Sequence, residues 1–413
     1  MKLDHWVIHL DNDSAKKDFI EGLLKGNGPK ELEDFQNRKG ALFSPLTLAK
    51  LIDEEDKRDY RIISPVQQAI ETMSSGEQKK ALLFYLLRKD PDFIILDNPL
   101  DNLDTSFQAE LKALLTERST TISFIQLASR KTDTLPFIHN HGRLEGAIFR
   151  KINPLQRINP TISDPFSTAS IPPSPILKST NLENPLIQFR NVYVSYENKA
   201  VLKDIDWTVN KGDFWQLTGA NGSGKTTMLS MIIGDNPKAF GQEIYLFGRK
   251  KGSGESVWEI KQKIGYYSPA MTNKFKGRHS VEHMLISGLT DSVGLYTIPT
   301  EGQKRISEQW LHLLNLYAVK DTYFNKLSVG KQRLVMTARA MVKHPPLLIL
   351  DEPTADMDDA SAELIVALVN KISKETNTAI IFVSHRKEPG LEPKSVYTLQ
   401  KTKLGTLGTT TKA

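Results

Sequence analysis

The feature that most constrains this chain is an internal repeat. Residues 6–26, WVIHLDNDSAKKDFIEGLLKG, align with residues 215–234, WQLTGANGSGKTTMLSMIIG, and residues 73–76 match residues 327–330. Further matches relate 43–47 to 267–272 and 96–99 to 350–353. The step from Met73 to Asp97 is 24 residues, and the step from Leu327 to Asp351 is also 24. Because unrelated segments do not keep such a register, we expect two copies of one structural unit.

The two copies differ in extent and are separated by a segment of another composition. Residues 153–185 carry seven prolines among Ser, Thr and Asn, which predicts an extended linker, since proline interrupts helices and strands. Residues 186–209, which alternate apolar and polar side chains like antiparallel strands, have no counterpart in the first copy. The Thr, Gly and Lys of the last residues predict a frayed tail.

The composition of the 413 residues excludes several classes of protein. There is no cysteine, so disulfides, iron–sulfur clusters and cysteine zinc sites are excluded. No apolar run approaches the roughly 18 residues that span a bilayer, and the N-terminus lacks the apolar core of a secretory signal. We therefore expect a cytoplasmic protein. The net charge of +6 is modest, and it neither demands nor excludes an acidic partner such as nucleic acid.

The second copy contains a phosphate-binding loop motif at residues 219–226, GANGSGKT. It follows the strand-like DFWQLT and opens the helix-like TTMLSMII, which is the context that G-x-x-x-x-G-K-[ST] requires. Its glycines allow backbone N–H groups to surround a phosphate at a helix N-terminus. The predicted phosphate-binding residues are Gly219, Asn221, Gly222, Ser223, Gly224, Lys225, Thr226 and Thr227, with the Thr226 hydroxyl on Mg²⁺.

Two carboxylates end the apolar run 347–350 of the second copy. A buried parallel strand delivers such residues to its C-terminal edge, so Asp351 is a candidate magnesium ligand and Glu352 a candidate general base for an attacking water. Acids at a strand end are also common as caps of the following turn. With the phosphate-binding loop upstream, we prefer the catalytic interpretation.

His385 and Tyr196 are candidates of lower specificity. His385 follows the second apolar run 379–383, where we interpret it as a sensor of the γ-phosphate rather than as a structural histidine. Tyr196 ends the first predicted strand and is placed to stack on an adenine ring, although an isolated aromatic is a core residue about as often.

These motifs in this order, with Leu327-Ser328-Val329-Gly330-Lys331-Gln332 between loop and acids, resemble the ATP-binding cassette (ABC) ATPases. Two cassettes in one chain are most similar to the ModF-like, or PhrA-like, molybdenum transport ATP-binding proteins. The resemblance implies an α/β fold of two tandem P-loop NTPase domains with parallel core sheets and helical subdomains, and an antiparallel β subdomain in the second half only. The expected domains are a truncated, degenerate cassette (1–150), a linker (151–184), a complete cassette (185–403) and a flexible tail (404–413).

The resemblance also implies that the signature motif of one cassette closes over the ATP of the other. Within one chain or between two, the second-half site would then be completed by residues of the first half: Ser74, Ser75, Gly76 and Glu77, with Asp104 as the acid of the D-loop. ATP and Mg²⁺ are the implied cofactors. Glu352, His385 and Lys225 are the implied catalytic residues.

The corresponding site of the first half has lost most of these groups. Leu10, Asp13 and Ala15 replace the three glycines, Lys16 keeps the lysine position, and Lys17 replaces the hydroxyl for Mg²⁺. Asp11 adds a charge that repels phosphate. Further on, Asn98 stands in place of Glu352 and Leu127 in place of His385. We expect little ATP binding and no hydrolysis there.

The second half departs from the family at the Q-loop. After Ile264-Gly265-Tyr266-Tyr267, where the family has glutamine or, in the ModF-like group, glutamate, the chain has Ser268, Pro269 and Ala270. Thr272 and Asn273 are candidate substitutes.

Two functions follow as expectations. The first is an ATPase that energises transport through separate membrane permease subunits, at the inner face of the cell membrane. The second is a nucleotide-gated protein that acts on nucleic acid or a regulatory partner. The proline-rich linker differs from the long charged helical linker of ABC translation factors, which argues against the ribosome as that partner.

Overall fold

A computed structural model describes residues 3–58, 68–153, 165–166, 169–174, 183–197, 199–272, 274–275 and 277–413. The chain divides into two compact units. The first unit comprises residues 1–161 and 356–359, and the second comprises residues 162–355 and 360–413.

The first unit is built on a mainly parallel sheet of six strands, in the order β2-β3-β4-β1-β5-β6. The strands are β1 Trp6–Leu10, β2 Gly40–Phe43, β3 Phe93–Asp97, β4 Ser123–Ala128, β5 Asn140–Glu145 and β6 Ile148–Ile152. The helices are α1 Lys16–Leu24, α2 Pro45–Arg58, α3 Ser75–Leu87 and α4 Thr105–Arg118. Short 3₁₀ turns cover Lys30–Phe35, Ile70–Thr72 and Lys131–Asp133.

The strands of this sheet read as apolar runs because both faces are covered. Strand β3, FIILD, is buried at every position. One face of the sheet packs on α1 through Ile20 and Leu23. The other packs on α2, α3 and α4, with Leu83 and Leu111 among the contacts.

The second unit repeats this sheet and extends it to ten strands, in the order β11-β10-β7-β8-β16-β15-β9-β14-β13-β12. The added strands are β7 Ile187–Tyr196, β8 Lys199–Val209, β10 Ile244–Leu246 and β11 Arg249–Lys250. The repeated strands are β9 Phe214–Gly219, β12 Ile264–Tyr267, β13 Leu347–Asp351, β14 Ala379–Val383, β15 Ser395–Thr402 and β16 Gly405–Lys412. The predicted α/β fold with parallel core sheets, and with the antiparallel part in the second half only, is confirmed.

The helices of the second unit surround this sheet. They are α5 Lys225–Ile233, α6 Val257–Gln262, α7 Pro269–Thr272, α8 Val281–Ser287, α9 Glu301–Leu313, α10 Val329–Met341 and α11 Asp359–Glu375, with 3₁₀ turns at Pro237–Ala239, Tyr317–Val319 and Phe324–Lys326. Helix α5 packs on the sheet face that carries Ile264, Ile349 and Ile381.

The predicted flexible tail at 404–413 is wrong. Residues 405–412 form β16, which pairs along its whole length with β15 and joins β8 through Thr406. The two-residue connection at Lys403 and Leu404 makes a tight hairpin, so cross-strand pairing orders a segment whose composition alone favours disorder.

The predicted linker, 151–184, lies mostly outside the described residues. Its first two residues belong to β6. In its described part Phe166 is buried, and the Ile171 N–H donates to Glu375 Oε2 at 2.8 Å. These parts of the segment are therefore packed rather than fully solvated.

Candidate functional site

The phosphate-binding loop joins β9 to α5, as the motif predicted. Gly222 and Gly224 have φ of +70° and +93°, in the left-handed region that side chains disfavour. A Cβ on Gly224 would also lie 2.6 Å from Leu202 Cδ2. The chain therefore needs glycine here to turn its backbone N–H groups toward the N-terminus of α5.

Lys225 is buried within this loop. Its Nζ donates to the carbonyl oxygens of Gly219 at 2.7 Å and Ala220 at 3.2 Å. Only 9% of the residue is exposed, so the ammonium is held over the loop at the end of β9. This is the position from which a lysine can neutralise a phosphate cradled by the loop.

Asp351 ends β13 beside the loop, and its surroundings disfavour its charge. Burial, and then the neighbouring carboxylate of Glu352, raise the pKa of Asp351 to about 6, while Lys225 acts in the opposite direction. A cation close to this carboxylate would favour its ionised form.

Glu352 follows in a left-handed conformation, with φ of +50°, which is uncommon for a residue with a side chain and typical of functional turns. His385 Nδ1 lies 3.4 Å from Glu352 Oε1, and this hydrogen bond is the main reason that the pKa of Glu352 is lowered. Arg386 Nε donates to His385 Nε2 at 3.4 Å. Because an arginine only donates, Nε2 must accept, and the neutral His385 then carries its proton on Nδ1, toward Glu352.

Tyr196 lies at the end of β7 and is 41% exposed. Its hydroxyl accepts from Asn236 Nδ2 at 3.0 Å, and the Lys238 ammonium lies 5.7 Å from the ring centroid. The ring is therefore fixed by its hydroxyl and is not a core residue, so it remains a candidate surface for a base.

The equivalent loop of the first unit has a different hydrogen-bonding pattern. Ala15, in the place of Gly224, has φ of −74°, and its N–H donates to the Gly146 carbonyl at 2.7 Å. Asp11 is paired with Arg143 at 3.1 Å. The N–H of Ala15 is therefore already hydrogen-bonded within the unit, and the carboxylate of Asp11 lies where a phosphate would approach.

Lys16 and Asp97, the equivalents of Lys225 and Asp351, form a salt bridge of 3.0 Å in the first unit. A cavity of about 540 Å³ adjoins them, lined also by Phe43, Gln78 and Asn98. The first unit therefore still has room for a ligand beside these two residues.

Strand register corrects one predicted equivalence. Asp351 pairs with Val383 and Asp97 pairs with Leu127, so Leu127 corresponds to Val383, and the residue at the position of His385 is Ser129. Ser129 and Asn98 make two hydrogen bonds, from Asn98 Nδ2 to Ser129 Oγ at 3.1 Å and from Ser129 N to Asn98 Oδ1 at 2.9 Å. The Glu352–His385 pair thus has an uncharged counterpart.

The predicted signature residues of the first unit surround the start of α3. Ser74 is the N-cap, and its side chain forms a capping box with Glu77, whose Oε2 accepts from Ser74 Oγ at 2.6 Å. Ser75 is half-buried, and Gly76 is buried so closely against Phe107 that a Cβ would lie 2.3 Å from the ring. The exposed side chains of this turn are those of Ser74 and Glu77.

Asp104, the predicted acid of the D-loop, caps a helix, and its role at the second-half site stays a prediction. Asp104 is 6% exposed, and its Oδ1 accepts from Phe107 N at 3.0 Å and from Ser106 Oγ at 2.8 Å. It is the buried N-cap of α4 and does not extend from the surface.

Of the two proposed substitutes for the Q-loop glutamine, Asn273 is outside the described residues, and the Thr272 hydroxyl lies beside that of Tyr267 rather than at the acids. Sequence reasoning missed Tyr266, whose hydroxyl lies near Asp351 and Ser268. Alternation along β12, together with its pairing to β13, is the signal that could have identified it.

Comparison with known proteins agrees with this architecture. The family described as "ABC transporter" matches residues 202–355. The ABC transporter ATP-binding protein ModF of Escherichia coli (strain K12) is 32% identical over 372 residues, which cover 83% of this chain and 74% of ModF. An uncharacterised ABC transporter ATP-binding protein of Schizosaccharomyces pombe is 32% identical over 325 residues, 76% of this chain and 65% of that protein.

Among solved structures, one titled as a model of ribosome-bound archaeal Pelota and ABCE1 aligns with 99% of this chain and 75% of its own, with a TM-score of 0.65 and 12% identity. That similarity concerns the fold alone. In the part of the chain that the structure describes, no helix is both long and apolar enough to cross a membrane. From the identity and coverage of its relatives, the chain belongs to the family of ATP-binding cassette (ABC) transporter ATP-binding proteins, whose cassettes bind and hydrolyse ATP.

Proposed function

We propose that the second unit carries the hydrolytic site of this chain and that the first unit does not hydrolyse ATP. One observation carries the proposal: Glu352 is a carboxylate oriented by His385, whereas its counterpart Asn98 is an amide bonded to Ser129. A carboxylate of lowered pKa is ionised at neutral pH and can accept a proton from water, and an amide cannot.

Each residue of the second unit has a role in this proposal. Lys225 and the backbone N–H groups of the loop hold the β- and γ-phosphates, and Glu352 polarises the attacking water. His385 orients Glu352 and reaches the γ-phosphate. Tyr196 stacks on the adenine.

The residues at the head of α5 and the end of β13 fit Mg²⁺. No group of three or more His, Cys, Asp or Glu that could hold a metal occurs among the described residues. Mg²⁺ in nucleotide sites takes one or two hard protein oxygens and completes its shell with phosphate and water. The Thr226 hydroxyl and the Asp351 carboxylate are oxygen donors of that kind, and the ion would offset the charge of the phosphates.

The first unit contributes a lid in this proposal. ABC cassettes complete an ATP site with the signature motif of a second cassette, and the exposed Ser74 and Glu77 at the start of α3 supply the polar groups of such a motif, with Ser75 and Gly76 in the same turn. Pairing within one chain or between two chains satisfies the proposal equally.

We further propose that the hydrolysis energises transport through separate membrane subunits, at the inner face of the membrane. The support is that ModF is named an ABC transporter ATP-binding protein and that ZurA of Listeria innocua, 33% identical over 204 residues, is named the ATP-binding protein of a zinc uptake system. These names concern the relatives. They give no substrate for this chain.

The partner is tested by affinity purification of the tagged full chain from its own cells, with detergent-solubilised membranes. We expect a polytopic membrane protein to copurify in the presence of ATP with the Glu352→Gln variant, which should bind ATP without hydrolysing it at the normal rate. Recovery of nucleic acid instead, in an amount that falls steeply between 50 and 200 mM salt, would contradict the transport role and favour the nucleotide-gated alternative.

A further inference from the structure

Tyr266 and Tyr267 are adjacent in β12 and therefore point to opposite faces of the sheet. Tyr266 is opposite Ile349 in the parallel partner strand β13 and packs with it on the face covered by α5. Asp351, two residues after Ile349, emerges on that same face. The register thus places one tyrosine beside the carboxylate and the other away from it.

The contacts of the two hydroxyls agree with this register. That of Tyr266 is half-buried near Asp351 and Ser268, and burial followed by the charge of Asp351 raises its pKa. That of Tyr267 is buried on the other face, near Arg333 and Thr272. Of the two, only Tyr266 presents a donor to the proposed magnesium ligand.

A hydroxyl donor would support the charge of Asp351, which its surroundings disfavour. Burial and Glu352 oppose this charge, while Lys225, which donates to the carbonyl oxygens of Gly219 and Ala220, favours it. A neutral hydroxyl can orient the carboxylate without competing as a cation for its charge.

The first unit shows the alternative arrangement. Leu42 pairs with Ile95 as Tyr266 pairs with Ile349, so the position of Tyr266 carries no hydroxyl there. Asp97 is instead neutralised by Lys16 at 3.0 Å. The hydroxyl accompanies the acid in the unit where that acid is not paired with the lysine of the loop.

We propose that Tyr266 is a positioning residue, whose hydroxyl donates to the carboxylate of Asp351 and orients it toward the Mg²⁺ of bound nucleotide, in a chain that lacks the glutamine of the Q-loop. This inference rests on the proposed hydrolytic site of the second unit. It assigns the orienting role to a strand residue, because the Q-loop has Ser268, Pro269 and Ala270 where the family has glutamine.

The experiment measures equilibrium binding of a fluorescent ATP analogue to the full chain, in a Glu352→Gln background, as Mg²⁺ is titrated. Removal of an oriented hydrogen bond to a metal ligand typically lowers the affinity for the metal roughly tenfold or more. Tyr266→Phe should therefore raise the half-saturating Mg²⁺ concentration by about tenfold. Binding in EDTA should not change. With Glu352 intact, hydrolysis should show the same shift in Mg²⁺ dependence, with a turnover at saturating Mg²⁺ within about twofold of the parent.

Tyr267→Phe is the matched control, since it removes the adjacent hydroxyl from the opposite face. It should leave the Mg²⁺ dependence unchanged. If Tyr266→Phe behaves like its parent, or if Tyr267→Phe shifts the Mg²⁺ dependence as much, the positioning role is wrong while the hydrolytic site stands. If the parent itself binds and hydrolyses ATP without Mg²⁺, the proposed function fails, and the role of Tyr266 fails with it.

Discussion

The two units have the same strand order in their core sheets and differ in how their polar groups are satisfied. In the second unit Lys225 donates to the carbonyl oxygens of its own loop, and Glu352 faces His385. In the first unit Lys16 is paired with Asp97, and Asn98 with Ser129. The loop lysine and the strand-end aspartate would contact a nucleotide and its metal in the second unit. In the first unit the equivalent residues bind each other.

The backbone of the turn after β3 and β13, in contrast, has hardly changed. Asn98 and Glu352 have φ of +43° and +50°, and both N–H groups donate at 3.0 Å to the neighbouring strand, at Leu127 and Val383. A left-handed conformation at a residue with a side chain costs free energy, yet the first unit keeps it. The comparison teaches that the turn belongs to the framework of the fold, while the catalytic chemistry depends on side chains that can be exchanged on that framework.

The largest expected effect is the loss of the general base. Glu352→Gln should lower the turnover of ATP by about 10² to 10³, because a general base contributes roughly that factor, while ATP still binds. Steady-state phosphate release and nucleotide binding measure the two quantities.

Asn98→Glu sharpens the same comparison. The position already has the backbone of Glu352, so the fold should accept a glutamate, but turnover should not rise because the first unit lacks the glycine loop.

Hydrolysis by Glu352→Gln at the wild-type rate would show that the base lies elsewhere.

The second prediction concerns the two loop lysines. Lys225→Ala should weaken ATP binding by about 100-fold, since charge-assisted hydrogen bonds contribute roughly 1.5–3 kcal/mol each. Lys16→Ala should leave the affinity within about twofold of wild type, because Lys16 serves Asp97.

Calorimetric titration measures both affinities and the stoichiometry. With Glu352→Gln, saturation is expected near one nucleotide per chain. Saturation at two, with equal sensitivity to the two lysine substitutions, would contradict the difference between the units.

Much of this comparison follows from the sequence, because it depends on local patterns. The repeat, the loop of residues 219–226 and the acids at the end of an apolar run predicted both core sheets and the elements that join them. What the sequence did not predict depends on pairing between distant segments. The tail 405–412 is ordered by β15, and Ser129 takes the place of His385 only when strand register is known.

Single side chains were ambiguous for a related reason. Spacing could not distinguish an aspartate that caps a helix from one that extends from the surface, and Asp104 proved to be a cap. Two adjacent tyrosines look equivalent in sequence. Only the pairing of β12 with β13 separates Tyr266, on the face of Asp351, from Tyr267.

The third prediction uses a half-buried histidine of the first unit, at a position where the second unit has threonine. His9 Nε2 lies 3.4 Å from His141 Nδ1. Burial lowers the pKa of His9 to about 4, and the charges of His141, Lys131 and Arg143 add to this effect. Asp11 acts in the opposite direction. The unfolded chain, with a histidine pKa near 6.5, binds a proton that the folded chain does not. The contribution of the neutral His9 to the free energy of unfolding is therefore fully present above pH 6.5 and is lost as the pH falls toward 4.

At pH 5 this loss amounts to about 2 kcal/mol at most. His9→Thr, which copies Thr218, should therefore reduce the fall in melting temperature between pH 7.5 and pH 5, by a few degrees. His312→Thr is a control, since His312 is an exposed residue of α9 in the second unit. Equal acid sensitivity in wild type and His9→Thr would contradict the assignment.

The smallest expected effect tests the lid. Ser74 and Ser328 cap equivalent helices, α3 and α10, but only Ser74 has a capping box, with Glu77 where the second unit has Lys331. If the signature of the first unit completes the active site, Ser74→Ala should lower turnover by about tenfold, the loss of one hydrogen bond to a charged phosphate, and Ser328→Ala should leave turnover nearly unchanged. The cap itself contributes about 1 kcal/mol, so the free energy of unfolding is measured in parallel to separate stability from turnover. A fall in turnover with Ser328→Ala but not with Ser74→Ala would mean that the hydrolytic site is closed by the signature of a second unit from another chain, and the first unit would then have no part in it.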